Sequence, residues 1–187
     1  MTFVELDLPG VFLIEPEVHG DERGSFRRHF CAAEFSAHGL VPAVAQGNLS
    51  ENVHRGTLRG LHYQRGPYAE AKTLSCITGA VYDITVDLRP ESPTFMRWVS
   101  AQFSADDRRS LHVPAGCANG WMTLAPDTIV HYYMSERFVP EAARGIRYDD
   151  PQFDFRWPMQ PTVISERDRT FPDFDPTVRE SCDTETK

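Results

Sequence analysis

The chain has 187 residues, 41% of them hydrophobic and 25% charged, which suits one domain spanning 1–187 with a core of its own and excludes a disordered or fibrous chain. A net charge of −8 argues against a general nucleic-acid surface, because phosphate backbones recruit basic faces. The strongly apolar stretch nearest the N-terminus, 11–14, falls far short of the ~20 residues of a membrane span or the ~7–15 of a signal-peptide core, so the expectation is a cytoplasmic protein with no nucleic-acid or membrane partner.

Fourteen prolines and twelve glycines break the chain into short apolar segments, and no helical period runs beyond about two turns. A short helix is predicted over 32–38. Residues 57–64 form a β segment, followed by strands at 73–77, 82–88, 98–103, 111–113, 121–124 and 129–135. The 82–88 segment is the clearest. Tyr82, Ile84, Val86 and Leu88 alternate with Asp83, Thr85 and Asp87, which gives one apolar row against a core and one polar row on the opposite face. Turns are predicted at 105–109 and from Ser165, and the polar tail 181–187 is expected to fray. Closely spaced strands without crossover helices favour an antiparallel sandwich or barrel. Cys31, Cys76, Cys117 and Cys182 include no C-x-x-C pair, so they read as idle thiols rather than a zinc or redox motif.

The densest chemical signal is Gly56-Thr57-Leu58-Arg59-Gly60-Leu61-His62-Tyr63-Gln64. Strand alternation there places Arg59, Leu61 and Tyr63 on one face and Gly60, His62 and Gln64 on the other. His62 is a candidate base near neutral pH, although a strand histidine is more often a hydrogen-bonded structural residue. Arg23, Arg27, Arg28, Arg55 and Arg59 collect in the first third of this acidic chain. Converging guanidinium groups would grip a diphosphate; scattered, they are surface charges.

The segment Val113-Pro114-Ala115-Gly116-Cys117-Ala118-Asn119-Gly120-Trp121 resembles the second element of the cupin superfamily, P-x-G-x-x-H. Asn119 stands where that element has a histidine, and His62-Tyr63-Gln64 lacks the H-x-H of metal-binding cupins, so one imidazole is left and no facial triad can form. The expected barrel is metal-free and needs no cofactor.

The string Thr57-Leu58-Arg59-Gly60-Leu61-His62-Tyr63-Gln64, with Gly20-Asp21-Glu22-Arg23-Gly24, Gln46-Gly47-Asn48, Ala71-Lys72, Ser92-Pro93-Thr94-Phe95, Trp157-Pro158 and Ser165-Glu166-Arg167-Asp168-Arg169, is similar to the dTDP-4-dehydrorhamnose 3,5-epimerase family over nearly the whole chain. The resemblance implies an all-β, double-stranded β-helix (jelly-roll) barrel of the cupin type with short peripheral helices. It also implies epimerisation at C3 and/or C5 of a nucleotide-linked 4-keto-6-deoxy hexose. By the same resemblance His62 is the base, Asp168 orients it, Lys72 stabilises the enolate and Tyr132 returns a proton on the opposite face. Arg23 and Arg59 hold the diphosphate, Gln46 and Asn48 contact sugar and nucleotide, and Phe138 stacks on the base. Phe26, Arg28, Asn119 and Arg167 complete the expected substrate-binding set, and the family implies a homodimer that shares site residues.

Departures from the family cluster at the ligand: Arg28 and Ala143 replace glutamates, Asn119 a histidine and Arg167 a lysine. Polar recognition groups reject mismatched partners strongly, so a GDP- or CDP-sugar, a single-carbon epimerase, a ketoisomerase and a non-catalytic nucleotide-sugar-binding cupin stay open as alternatives. Ser165 and Asp168 also have the spacing of a capping box, in which Asp168 only closes a helix start. Lys72 reads either as a solvated charge or as a working group inside the barrel.

Overall fold

A computed structural model describes residues 1–177. The expected fraying at 181–187 and Cys182 lie outside the described residues. In chain order the elements are β1 (Thr2–Glu5), β2 (Phe12–Glu15), β3 (Val18–Asp21), β4 (Gly24–Arg27), α1 (Ala32–Ala37), β5 (Gln46–Asn52), β6 (Thr57–Gln64), β7 (Lys72–Thr78), β8 (Ala80–Asp87), β9 (Trp98–Ser104), β10 (Ser110–Val113), β11 (Cys117–Thr123), β12 (Thr128–Met134), β13 (Ala143–Gly145), β14 (Val163–Ile164) and α2 (Glu166–Arg169).

Two sheets face each other, with strand orders β1-β2-β10-β7-β12-β5 and β13-β6-β11-β8-β9, while β14 pairs with β6. The pairings within both sheets are antiparallel apart from β14 on β6, and the result is the cupin-type jelly roll. Between the sheets lie Leu74, Cys76, Val81, Phe103, Leu111, Val113, Cys117, Trp121 and Val130. Each large side chain so buried contributes about 1.5–3 kcal/mol. β3 and β4 pair only with each other, and their residues are exposed except Arg27. That hairpin therefore leaves the barrel.

The alternation in β8 is present, but its polar row is the inner one. Ile84, Val86 and Leu88 pack outward with Leu61, Ala118, Ile146 and Phe153, and Phe155, Trp157 and Phe174 cover that cluster. The aromatic C-terminal segment thus supplies the outer core. Asp83, Thr85 and Asp87, buried to 0–1% exposure, occupy the opposite row, shared with Val81 of the inner core. Burial of this kind requires paired polar groups. Asp87 meets the requirement by accepting from Arg89 Nη2 at 2.8 Å, Ser92 Oγ at 2.5 Å and Thr94 Oγ1 at 2.6 Å.

β11 begins at Cys117, four residues before the predicted start. Gly116, with φ of 81°, turns the chain into β11, whereas Gly120 lies inside the strand. Cys31 and Cys76 are free thiols, and no helix among the described residues is long and apolar enough to cross a membrane.

Candidate active site

β6 lies against β11, and the pairing changes register once. His62 opposes Asn119 and Arg59 opposes Trp121, so Gly60 and Leu61 together face the single residue Gly120. Such a two-against-one bulge reverses the alternation of side chains. Arg59 and His62, expected on opposite faces, consequently border the same concavity, while Leu61 enters the outer core. Only glycine fits the crossing. Gly60 has φ of 120°, and a Cβ there would meet Gly120 Cα at 2.4 Å.

α2 presents Asp168 to this strand. Ser165 caps the helix, its side chain accepting from the Asp168 backbone N–H at 3.1 Å, which leaves the Asp168 carboxylate free for other work. Its Oδ1 lies 2.8 Å from His62 Nε2, and its Oδ2 accepts the Gly60 backbone N–H at 3.2 Å. Burial opposes charge on Asp168, but the bonds from His62, Gly60 and Ser165 outweigh it and hold the carboxyl below its ordinary range. An imidazole that donates Nε2–H to a carboxylate keeps its lone pair on Nδ1. His62 is half-exposed and has that lone pair available.

Lys72 is buried to 7% exposure, which excludes the solvated-charge reading. Its Nζ lies 2.9 Å from Glu70 Oε1, donates to the His62 carbonyl at 2.9 Å and reaches Asn119 Oδ1 at 3.2 Å. Asn119 in turn donates through Nδ2 to Asp83 Oδ2 at 2.9 Å, and Thr85 Oγ1 donates to Asp83 Oδ1 at 2.9 Å. Burial pushes the Asp83 carboxyl up to about 7, against the pull of the Asn119 and Thr85 bonds and the Lys72 charge.

Tyr132 stands on β12, in the sheet facing β6. It packs on Trp121 with ring centroids 5.9 Å apart, and burial raises its phenol above the ordinary range, with Glu70 adding and Arg59 opposing. Its neighbour Tyr133 points the other way and packs against His29, Phe30 and His131. His62, Lys72, Asn119, Trp121, Tyr132 and Phe138 border an inner cavity of about 120 Å³. A wider concavity, bordered by Arg59 and Asp168, shares His62, Tyr132 and Arg167 with the inner one.

Gln46 bridges two further expected contacts, accepting from the Phe138 backbone N–H at 3.0 Å and donating to Asn48 Oδ1 at 2.9 Å. Arg59 Nε donates to Asn52 Oδ1 at 2.7 Å, and the Arg167 guanidinium lies 5.8 Å from the Phe171 ring centre. Three expected residues are not brought here within one chain. Arg23 pairs with Asp21 at 2.5 Å and shares a surface concavity with Phe26, which is 72% exposed. Arg28 pairs with Glu34 at 3.0 Å. All three lie on or just beyond the projecting hairpin, which explains their distance from His62.

Glu70, Asp83 and Trp121 border or underlie the cavity without having been singled out. Glu70 precedes Lys72 by two, the same-face spacing of a strand, and Asp83 belongs to the polar row of β8. Both signals were present in the sequence. Among the described residues no group of three or more His, Cys, Asp or Glu is placed to hold a metal ion.

Residues 5–176 match the family model described as dTDP-4-dehydrorhamnose 3,5-epimerase. The protein of that name from Sinorhizobium fredii is 40% identical over 173 residues, which are 92% of this chain and 89% of the relative. A crystal structure of the Bacillus anthracis enzyme with TDP and PPi bound has a TM-score of 0.89 at 36% identity, covering 92% of this chain and 99% of the other. The Legionella pneumophila structure in complex with dTDP-4-keto-L-rhamnose has a TM-score of 0.84 at 34% identity, with 89% of each chain covered.

Proposed function

Because the chain belongs to the dTDP-4-dehydrorhamnose 3,5-epimerase family, we propose that it inverts C3 and C5 of a dTDP-linked 4-keto-6-deoxy hexose, converting dTDP-4-dehydro-6-deoxyglucose to dTDP-4-dehydrorhamnose without a metal. One observation carries the reading: His62, held by Asp168, and Tyr132 border the same cavity from facing sheets.

The 4-keto group acidifies the hydrogens on its neighbouring carbons. His62 Nδ1 takes one, the electron pair of the broken C–H bond moves onto the keto oxygen, and the Lys72 ammonium stabilises the resulting enolate. Tyr132 then donates its phenolic proton to the opposite face of the same carbon, which inverts it. Loss of the His62 proton to solvent and reprotonation of Tyr132 complete the turnover. Arg59 and Arg167 border the wider concavity, where the diphosphate would find guanidinium partners.

A homodimer completes this reading, with Arg23 and Phe26 of the projecting hairpin entering the partner's site. Their distance from the cavity of their own chain supports it. The free Cys31 and Cys76 thiols suit a reducing compartment and support placement in the cytoplasm. Incubation of the sugar nucleotide with the protein in deuterated water tests the activity. Deuterium at C3 and C5 of the product is expected, and no incorporation would refute the proposal.

A further inference from the structure

An ammonium has three protons, and in this structure Lys72 has three acceptors: the Glu70 carboxylate, the His62 carbonyl and the Asn119 side-chain oxygen. A substrate oxygen can accept a hydrogen bond from Lys72 only if one acceptor gives way. The carboxylate is charged and the His62 carbonyl is fixed in β6, whereas Asn119 Oδ1 is a neutral acceptor and, at 3.2 Å, the most distant of the three. It is the weakest hold.

We propose that Asn119 is a positioning residue that keeps the third proton of Lys72 until negative charge develops on the substrate oxygen. This rests on the epimerase reading above. A ketone oxygen and an amide oxygen are comparable neutral acceptors, so bound ketosugar gains little by displacing Asn119. An enolate oxygen is charged and outcompetes the amide. The lysine bond is therefore realised mainly in the transition state, where it accelerates the reaction rather than tightening ground-state binding. The bond from Asn119 Nδ2 to Asp83 keeps the amide oxygen turned toward Lys72 and prevents it from donating there instead. Glu70, His62, Asp83 and Tyr132 surround this pair, and Tyr63, Arg144 and Arg167 border the same cavity.

Two variants separate the consequences. Asn119→Asp supplies a charged acceptor that retains the lysine proton, so kcat should fall at least about tenfold while KM does not fall. Asn119→Leu removes the acceptor and lets Lys72 engage the ketone itself, so KM for the ketosugar should fall by about threefold or more. Circular dichroism reports whether each variant folds; if loss of the Asp83 partner unfolds Asn119→Leu, the same KM change is expected with Asp83→Asn added. Variants that lower kcat and raise KM alike, or that match the parent, overturn the role of Asn119 while leaving the epimerase reading in place. A parent protein that exchanges no deuterium overturns both.

Discussion

His62 Nε2 and Asp168 Oδ1 lie 2.8 Å apart although 106 residues separate them, because β6 carries one and the C-terminal helix α2, capped by Ser165, carries the other. In Asp168→Asn an amide can donate where the carboxylate accepts, which moves the ring proton to Nδ1 and removes the lone pair from the cavity. We expect kcat to fall by about 10²–10⁴-fold, with dTDP affinity within about threefold of the parent by calorimetric titration.

Tyr132→Phe should separate exchange from inversion. The ring and its packing on Trp121 remain, but the proton for the opposite face is lost. Deuterium from solvent should still enter recovered starting material through His62, while the epimerised product, followed by proton NMR, falls by about a hundredfold or more. Inversion at the parent rate would remove Tyr132 from the reaction.

Subunit complementation reports on the hairpin. If Arg23 serves the partner's site, Arg23→Ala and His62→Asn are each inactive as homodimers, but a mixed dimer holds one intact site. Random reassembly of equal amounts should restore about a quarter of parent activity. Mixtures no more active than their parts would confine each site to one chain.

Asp83 makes stability depend on pH. Its folded value of about 7 stands above the ordinary 3.8, so both states hold the proton below about pH 3.8 and only the folded chain holds it between there and about 7. Stability from this group is therefore full at low pH and is lost as the pH rises to about 7. Asp83→Asn should remove that loss, by at most about 4 kcal/mol, and raise the melting temperature relative to the parent more at pH 8 than at pH 5. An equal shift at both values would show that Asp83 does not titrate in this window.

Much of the fold was legible because alternation and turn residues are local signals. The strands at 98–103 and 129–135 shift by one residue at most. Which face of β8 turns inward was not local, since it depends on Phe153, Phe155, Trp157 and Phe174 arriving from far along the chain. His62, Lys72, Tyr132 and Asp168 stood out through family resemblance. Simple alternation puts Arg59 on the wrong face, because a bulge between two glycines belongs to the pair of strands and cannot be read from either strand alone. The hydrogen-bond chain from Glu70 to Asp83 was likewise hidden, as its links join β7, β8 and β11.

The crossing of Gly60 and Gly120 also constrains what insertions and deletions this protein tolerates. Removing one residue from the stretch between Arg59 and His62 would leave those two side chains on one face by simple alternation, but would cost either the Gly60 amide that bonds Asp168 or the Leu61 side chain of the outer core. Loops around the barrel can change length at modest cost, whereas in this strand the count of residues is itself part of how the cavity wall is built.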